Sequence, residues 1–178
     1  QDKIKINFLG AEEGIGLLKK YQADKNIKIY PSAKLKKNIN YFYHTLNRTF
    51  WAIFSIIKYR HQFKNISHIY SVSDFYPDTI PAFLLKLFSP GKIWIAGFYL
   101  FAPAPWQSDN PYRSSFPRFI TGALYWLSQQ LSFWLTYHFA DYVLVTSQPD
   151  VTKFISPKRP IDKIIVVQGG VDITHSQN

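Results

Sequence analysis

The chain has 178 residues, 47% of them hydrophobic and 18% aromatic, which is the length of one domain and excludes a disordered polyelectrolyte. With no cysteine it has no disulfide, no thiolate metal site and no thiol nucleophile. Its net charge of +10 is uneven, since residues 1–64 carry thirteen Lys or Arg against four acids and residues 65–178 carry eight against seven.

A basic first third suits an anionic membrane surface, a nucleic acid or a phosphorylated substrate. The first residue is Gln, and no basic, apolar, small-residue series opens the chain. The start therefore reads as a processed or truncated end rather than a secretory signal.

In chain order, an apolar run at 4–9 predicts a first strand, and LGAEEGIG leads from it into a helix over 11–21. Its glycines follow G-x-x-x-G-x-G, which is neither the dinucleotide nor the P-loop spacing, so a plain strand-to-helix turn is expected. A second strand follows at 27–30, then a long helical pattern over 35–63. Leu35, Ile39, Phe42, Leu46, Phe50, Ile53 and Ile57 recur at spacings of three and four and should face the sheet. Lys37, Tyr41, His44, Arg48 and Trp51 fall on the opposite face. Cations mixed with aromatic rings fit the headgroup layer of a membrane, and equally an ordinary solvated face.

A third strand at 68–72 leads through SVSDFYPD into a helix over 78–88, with Asp78 as its cap. Asp74 lies where a parallel sheet exposes its carboxyl edge; a carboxylate there can bind sugar hydroxyls, and ordinary loop solvation explains it equally well. The fourth strand, 92–97, runs out into GFYLFAPAPW, whose Phe98, Tyr99, Phe101 and Trp106 give an aromatic mouth above the sheet. A minor hydrophobic cluster pinning that loop fits the same residues. Arg113 and Arg118 beyond it can hold a phosphate.

Residues 119–140 carry no formal charge over a length that could span a bilayer. The adjacent Gln129 and Gln130 are costly in hydrocarbon, so a crossover helix (115–139) packed on the sheet is expected instead. Its apolar stripe is Ile120, Leu124, Leu127, Leu131 and Trp134, with the hydroxyl residues on another face. A fifth strand at 142–146, a helix over 148–155 capped by Ser147 and Asp150, and a sixth strand at 163–168 complete the series. The alternation predicts an α/β fold, a Rossmann-like parallel sheet with helices on both faces, as one domain over 1–173 with a tail at 174–178. The five histidines share no metal-ligand spacing and no G-x-S-x-G elbow is present, so neither a metal nor a hydrolase triad is expected.

The runs SHIYSVSDFYPDTIPAFLLKLF, KIWIAGFYLFAPAP, ADYVLVTSQPDVTKF and KIIVVQGGVDI together resemble the N-terminal domain of a family 4 glycosyltransferase of the two-domain GT-B architecture. The resemblance covers roughly residues 65–173 well and the first 64 loosely. It implies a retaining enzyme that moves a hexose from a nucleotide sugar to a lipid-linked or cell-surface glycan acceptor, with no separate cofactor. It further implies a cytoplasmic protein, peripheral on the inner face of the cell membrane, whose C-terminal donor-binding domain is absent from this chain.

In such enzymes the N-terminal domain binds the acceptor, for which Asp74, Tyr99 and Arg113 are the candidates. Gly169, Gly170 and Asp172 stand in the family's Asn-Gly-Val-Asp-like turn beside the donor cleft, with Gly169 replacing the usual Asn. Phe98 and Tyr99 occupy the region where the family often has a His. The family's first strand and Gly-rich loop have no counterpart, because the first two strands here fit its second and third. The rival from another class is a non-catalytic module of the same fold that binds a membrane or polyanion through Lys37, Tyr41, Arg48 and Trp51. Nucleic acid ranks last as a partner, since no recognised motif accompanies the basic run.

Overall fold

The computed structural model describes residues 5–20, 27–32, 41–108 and 110–167. Gly169, Gly170, Asp172 and Lys37 lie outside the described residues, as does the side chain of Tyr41. The expected alternation is present: β1 (Ile6–Gly10), α1 (Glu12–Lys20), β2 (Ile27–Pro31), α2 (Tyr41–Lys58), α3 (Arg60–Phe63), β3 (His68–Ser71), α4 (Tyr76–Phe88), β4 (Ile93–Gly97), α5 (Phe116–Phe139), β5 (Tyr142–Val145), α6 (Gln148–Phe154) and β6 (Ile164–Val166). The long helical pattern is divided at Tyr59, which separates α2 from the single turn of α3. The class is α/β, Rossmann-like, with parallel strands flanked by helices.

The strands form two sheets where one was expected. β1 pairs in parallel with β2, and β3, β4, β5 and β6 pair in that order, all in parallel. The larger core lies on the second sheet, where Trp94, Phe98, Val143, Val145 and Phe154 are fully buried. The smaller gathers Tyr30, Ile56 and Phe63, and Ile66 and Leu85 pack against both.

Polar groups tie the larger core at its amino end. Asp141, the acid of ADYVLVTS, accepts from the Trp94 backbone N–H at 2.7 Å and from Lys86 Nζ at 2.7 Å. One carboxylate therefore joins β4, α4 and the start of β5. Arg159 is only 2% exposed and donates to the carbonyls of Thr136, Tyr137, Ala140 and Phe154. Three of those carbonyls belong to the end of α5, that of Thr136 accepting from the Ala140 N–H as well, and a cation there is favoured by the helix dipole.

Two helices are turned away from the sequence expectation. In α2 the inward residues are Thr49, Ala52, Ser55 and Ile56, while Leu46, Phe50 and Ile57 of the predicted buried stripe are exposed. In α5 the inward residues are Gly122, Gln129, Ser132, Leu135 and Thr136, and the Ile120–Leu124–Leu127–Leu131–Trp134 stripe faces out. Small and hydroxylated side chains let each helix pack closely on α4, which both contact, and that leaves the bulky residues outward. No helix among the described residues is long and apolar enough to cross a membrane.

Candidate functional site at the end of β3

β3 ends at Ser71, and the chain turns through Val72 to Phe75 before α4 begins. Asp78 was expected as the helix cap, but α4 starts two residues earlier with Phe75 at the cap position. Asp78 instead lies in the first turn, where its Oδ2 accepts from Ser73 Oγ at 2.5 Å. Ser73 Oγ also accepts from the Phe75 N–H at 3.3 Å, and the Ser73 carbonyl accepts from Thr79 Oγ1 at 3.2 Å. These bonds fix the loop so that Asp74 points inward, at 7% exposure.

Gln129 of α5 holds Asp74 in place. Its Nε2 donates to Asp74 Oδ2 at 2.7 Å and to the Leu100 carbonyl at 2.6 Å, while its Oε1 accepts from the Ala102 N–H at 2.7 Å. One buried carboxamide thus joins α5 to the loops that follow β3 and β4. Gln129 was not among the sequence candidates, although its placement in an uncharged apolar helix was the available signal. A buried amide must find partners, and those partners mark a site.

The electrostatics follow from burial. Desolvation pushes the Asp74 carboxyl above its ordinary value, against the opposing hydrogen bonds from Gln129 and from its own backbone. Burial raises Asp78 too, aided by the like charge of Asp74 and opposed by the Ser73 bond and by Arg48. Arg48 is half-buried, and its positive charge opposes the rise at Asp78 from a distance. Trp51, its companion on the predicted outward face, is exposed and packs edge-on against Phe50 and Phe54.

Asp74 lies in the lining of a pocket of about 310 Å³ between α2 and α5, over the first turn of α4. Thr121, Ser128 and Gln129 add polar groups, and Leu46, Ile120 and Leu124 add apolar walls. Phe75 stacks on Tyr125 at 5.8 Å and 22° between ring planes along one side.

The other two acceptor candidates do not join Asp74 in this lining. The Tyr99 hydroxyl pairs with that of Tyr70 at 2.7 Å, and burial with that bond pushes its phenol well above the ordinary value. Arg113 is exposed in a 3-10 turn, Pro111–Ser114, and donates weakly to the Gln107 carbonyl at 3.4 Å. The expected aromatic mouth is divided. Phe98 is fully buried against Phe101, Phe133 and Phe154, so it is core, whereas Trp106 is exposed against Trp126. Ser147 precedes α6 as expected, but its hydroxyl donates to Asp150 Oδ2 instead of capping a backbone N–H.

Among the described residues no three His, Cys, Asp or Glu side chains gather as a metal would require. No protein-family model matches the chain, and no curated protein is significantly similar to it.

Proposed function

We propose that this chain is the acceptor-binding half of a retaining glycosyltransferase that uses a nucleotide sugar to glycosylate a lipid-linked or cell-surface glycan acceptor. The observation that carries this reading is a buried, anchored carboxylate, Asp74, in a pocket at the carboxyl edge of a parallel sheet. In open α/β sheets that edge is where ligands bind. A carboxylate held by Gln129 can accept hydrogen bonds from acceptor hydroxyls and orient one of them. The donor sugar would come from a second domain.

The test is transfer of radiolabelled sugar from a panel of nucleotide sugars to a membrane lipid extract by the full-length gene product. Label in the organic phase, reduced at least tenfold in Asp74→Ala, is the expected result. No transfer from any donor, alongside tight binding to anionic vesicles, would replace this reading with the rival one. That rival is a non-catalytic membrane-binding module, favoured by the outward apolar faces of α2 and α5.

A further inference from the structure

The pocket and the outward stripes are parts of one surface. Leu46, Ile120 and Leu124 line the cavity yet remain 45%, 42% and 46% exposed, so its apolar walls continue outward from it. From Leu124 the apolar surface runs along α5 through Leu127, Leu131 and Trp134. The floor is of the opposite character, with Asp74 beside Ser128 and Gln129.

We propose that this pocket binds an amphiphile with an uncharged, hydroxylated head and a hydrocarbon chain. The head sits on Asp74, and the chain leaves between Leu46 and Leu124 along the α5 stripe. The proposal deepens the acceptor-half reading and rests on it, because it assigns the acceptor a glycolipid-like chemistry.

Three features select this occupant. Asp74 at the floor repels a phosphate or sulfate head, whereas a carboxylate accepts from sugar hydroxyls. At about 310 Å³ the cavity is at the small end of ligand pockets, so it holds a head and the first carbons of a chain and must pass the remainder outward. The outward path exists, and it is apolar. A water-soluble glycan would leave those walls uncovered, and an anionic lipid would place its charge against Asp74.

Alkyl glucosides and alkyl phosphates of matched chain length, titrated below their critical micelle concentrations into the 178-residue chain by calorimetry, test this directly. Dodecyl glucoside should bind roughly tenfold or more tighter than octyl glucoside, as expected for methylenes laid on a half-exposed apolar path. Dodecyl phosphate should bind at least tenfold more weakly than dodecyl glucoside. Asp74→Asn should weaken the glucoside by about tenfold through loss of a charged hydrogen-bond acceptor. Thr121→Trp, at an exposed position on the pocket wall, should block it, and Ile161→Ser, at an exposed position outside both the pocket lining and the α5 stripe, should bind nearly as the parent does.

Equal affinity for phosphate and glucoside heads, no dependence on chain length, or equal losses in Ile161→Ser and Thr121→Trp would each overturn the proposal. Circular dichroism confirms that each variant folds. Binding is read without turnover. Glucoside binding by a protein that transfers no sugar would therefore refute the enzyme and leave the pocket, while sugar transfer by a protein that ignores alkyl glucosides would do the reverse.

Discussion

At the scale of single residues, Asp74 and Asp78 make the fold pH-dependent in a definite direction. Burial raises both carboxyls above their unfolded values, so the folded chain holds these protons more tightly than the unfolded one. Their contribution to stability is complete below the ordinary carboxylate pKa and is lost as pH rises through the raised folded values. Asp74→Asn removes the buried charge while its Oδ1 can still accept from Gln129. At neutral pH this variant should melt above the parent, and the difference should close as the pH falls to about 4. Thermal denaturation across that range checks it, and a gap independent of pH would mean that ionisation of Asp74 is not the cause. Arg159 is the converse case, a buried cation answered by helix-end carbonyls. Nothing in SPKRP distinguishes it from an exposed Arg, because its partners lie about twenty residues upstream and are backbone atoms.

At the scale of elements, every strand was legible because apolar β-branched runs between breakers carry strong local information. Helix positions were legible too, with α4 beginning two residues before the expected cap because Phe75 takes that place. The direction each helix faces was not legible in α2 and α5. A periodicity of bulky residues identifies a stripe, but whether it lies inward depends on which side fits its neighbour. Gly122 shows this fit, since a Cβ there would meet Tyr112 Cβ and Cγ at 2.6 Å. Gly16 in α1 has nothing within 4 Å of the same added atom. Gly16→Ala should therefore stabilise the fold by about 0.5–1 kcal/mol through helix propensity and a less flexible unfolded chain. Gly122→Ala gains the same term but forces apart the contact between α5 and the 111–114 turn, at a cost of about 1–3 kcal/mol. Urea titrations of the two variants should move the midpoint in opposite directions. The site was legible in part. Asp74 was found from its position after a strand, while Gln129 and the pocket walls needed the helix orientations that local periodicity could not supply.

At the scale of the whole molecule, parallel pairing and α/β alternation were legible, but the division into two sheets was not. It depends on which strand edges meet, and no short-range pattern encodes that. Two sheets imply two cores of unequal size, connected through Ile66 and Leu85. Asp74 and Gln129 sit between loops and helices of the larger one, whereas Leu46 comes from α2, whose Ile56 belongs to the smaller. Native-state hydrogen exchange should therefore separate the chain into two cooperative units. Amides of β4 and β5 should open only with global unfolding, and those of β1 and β2 by a smaller, sub-global step. Uniform protection across both sheets would show a single unit instead. α2 packs on α4 of the larger unit and also carries Ile56 into the smaller core, so the wall that it gives the pocket is held to both units. A molecule leaving the site past Leu46 would then depart at a rate set by how often α2 parts from α4, so packing along that helix pair, remote from the floor where it binds, would govern its residence.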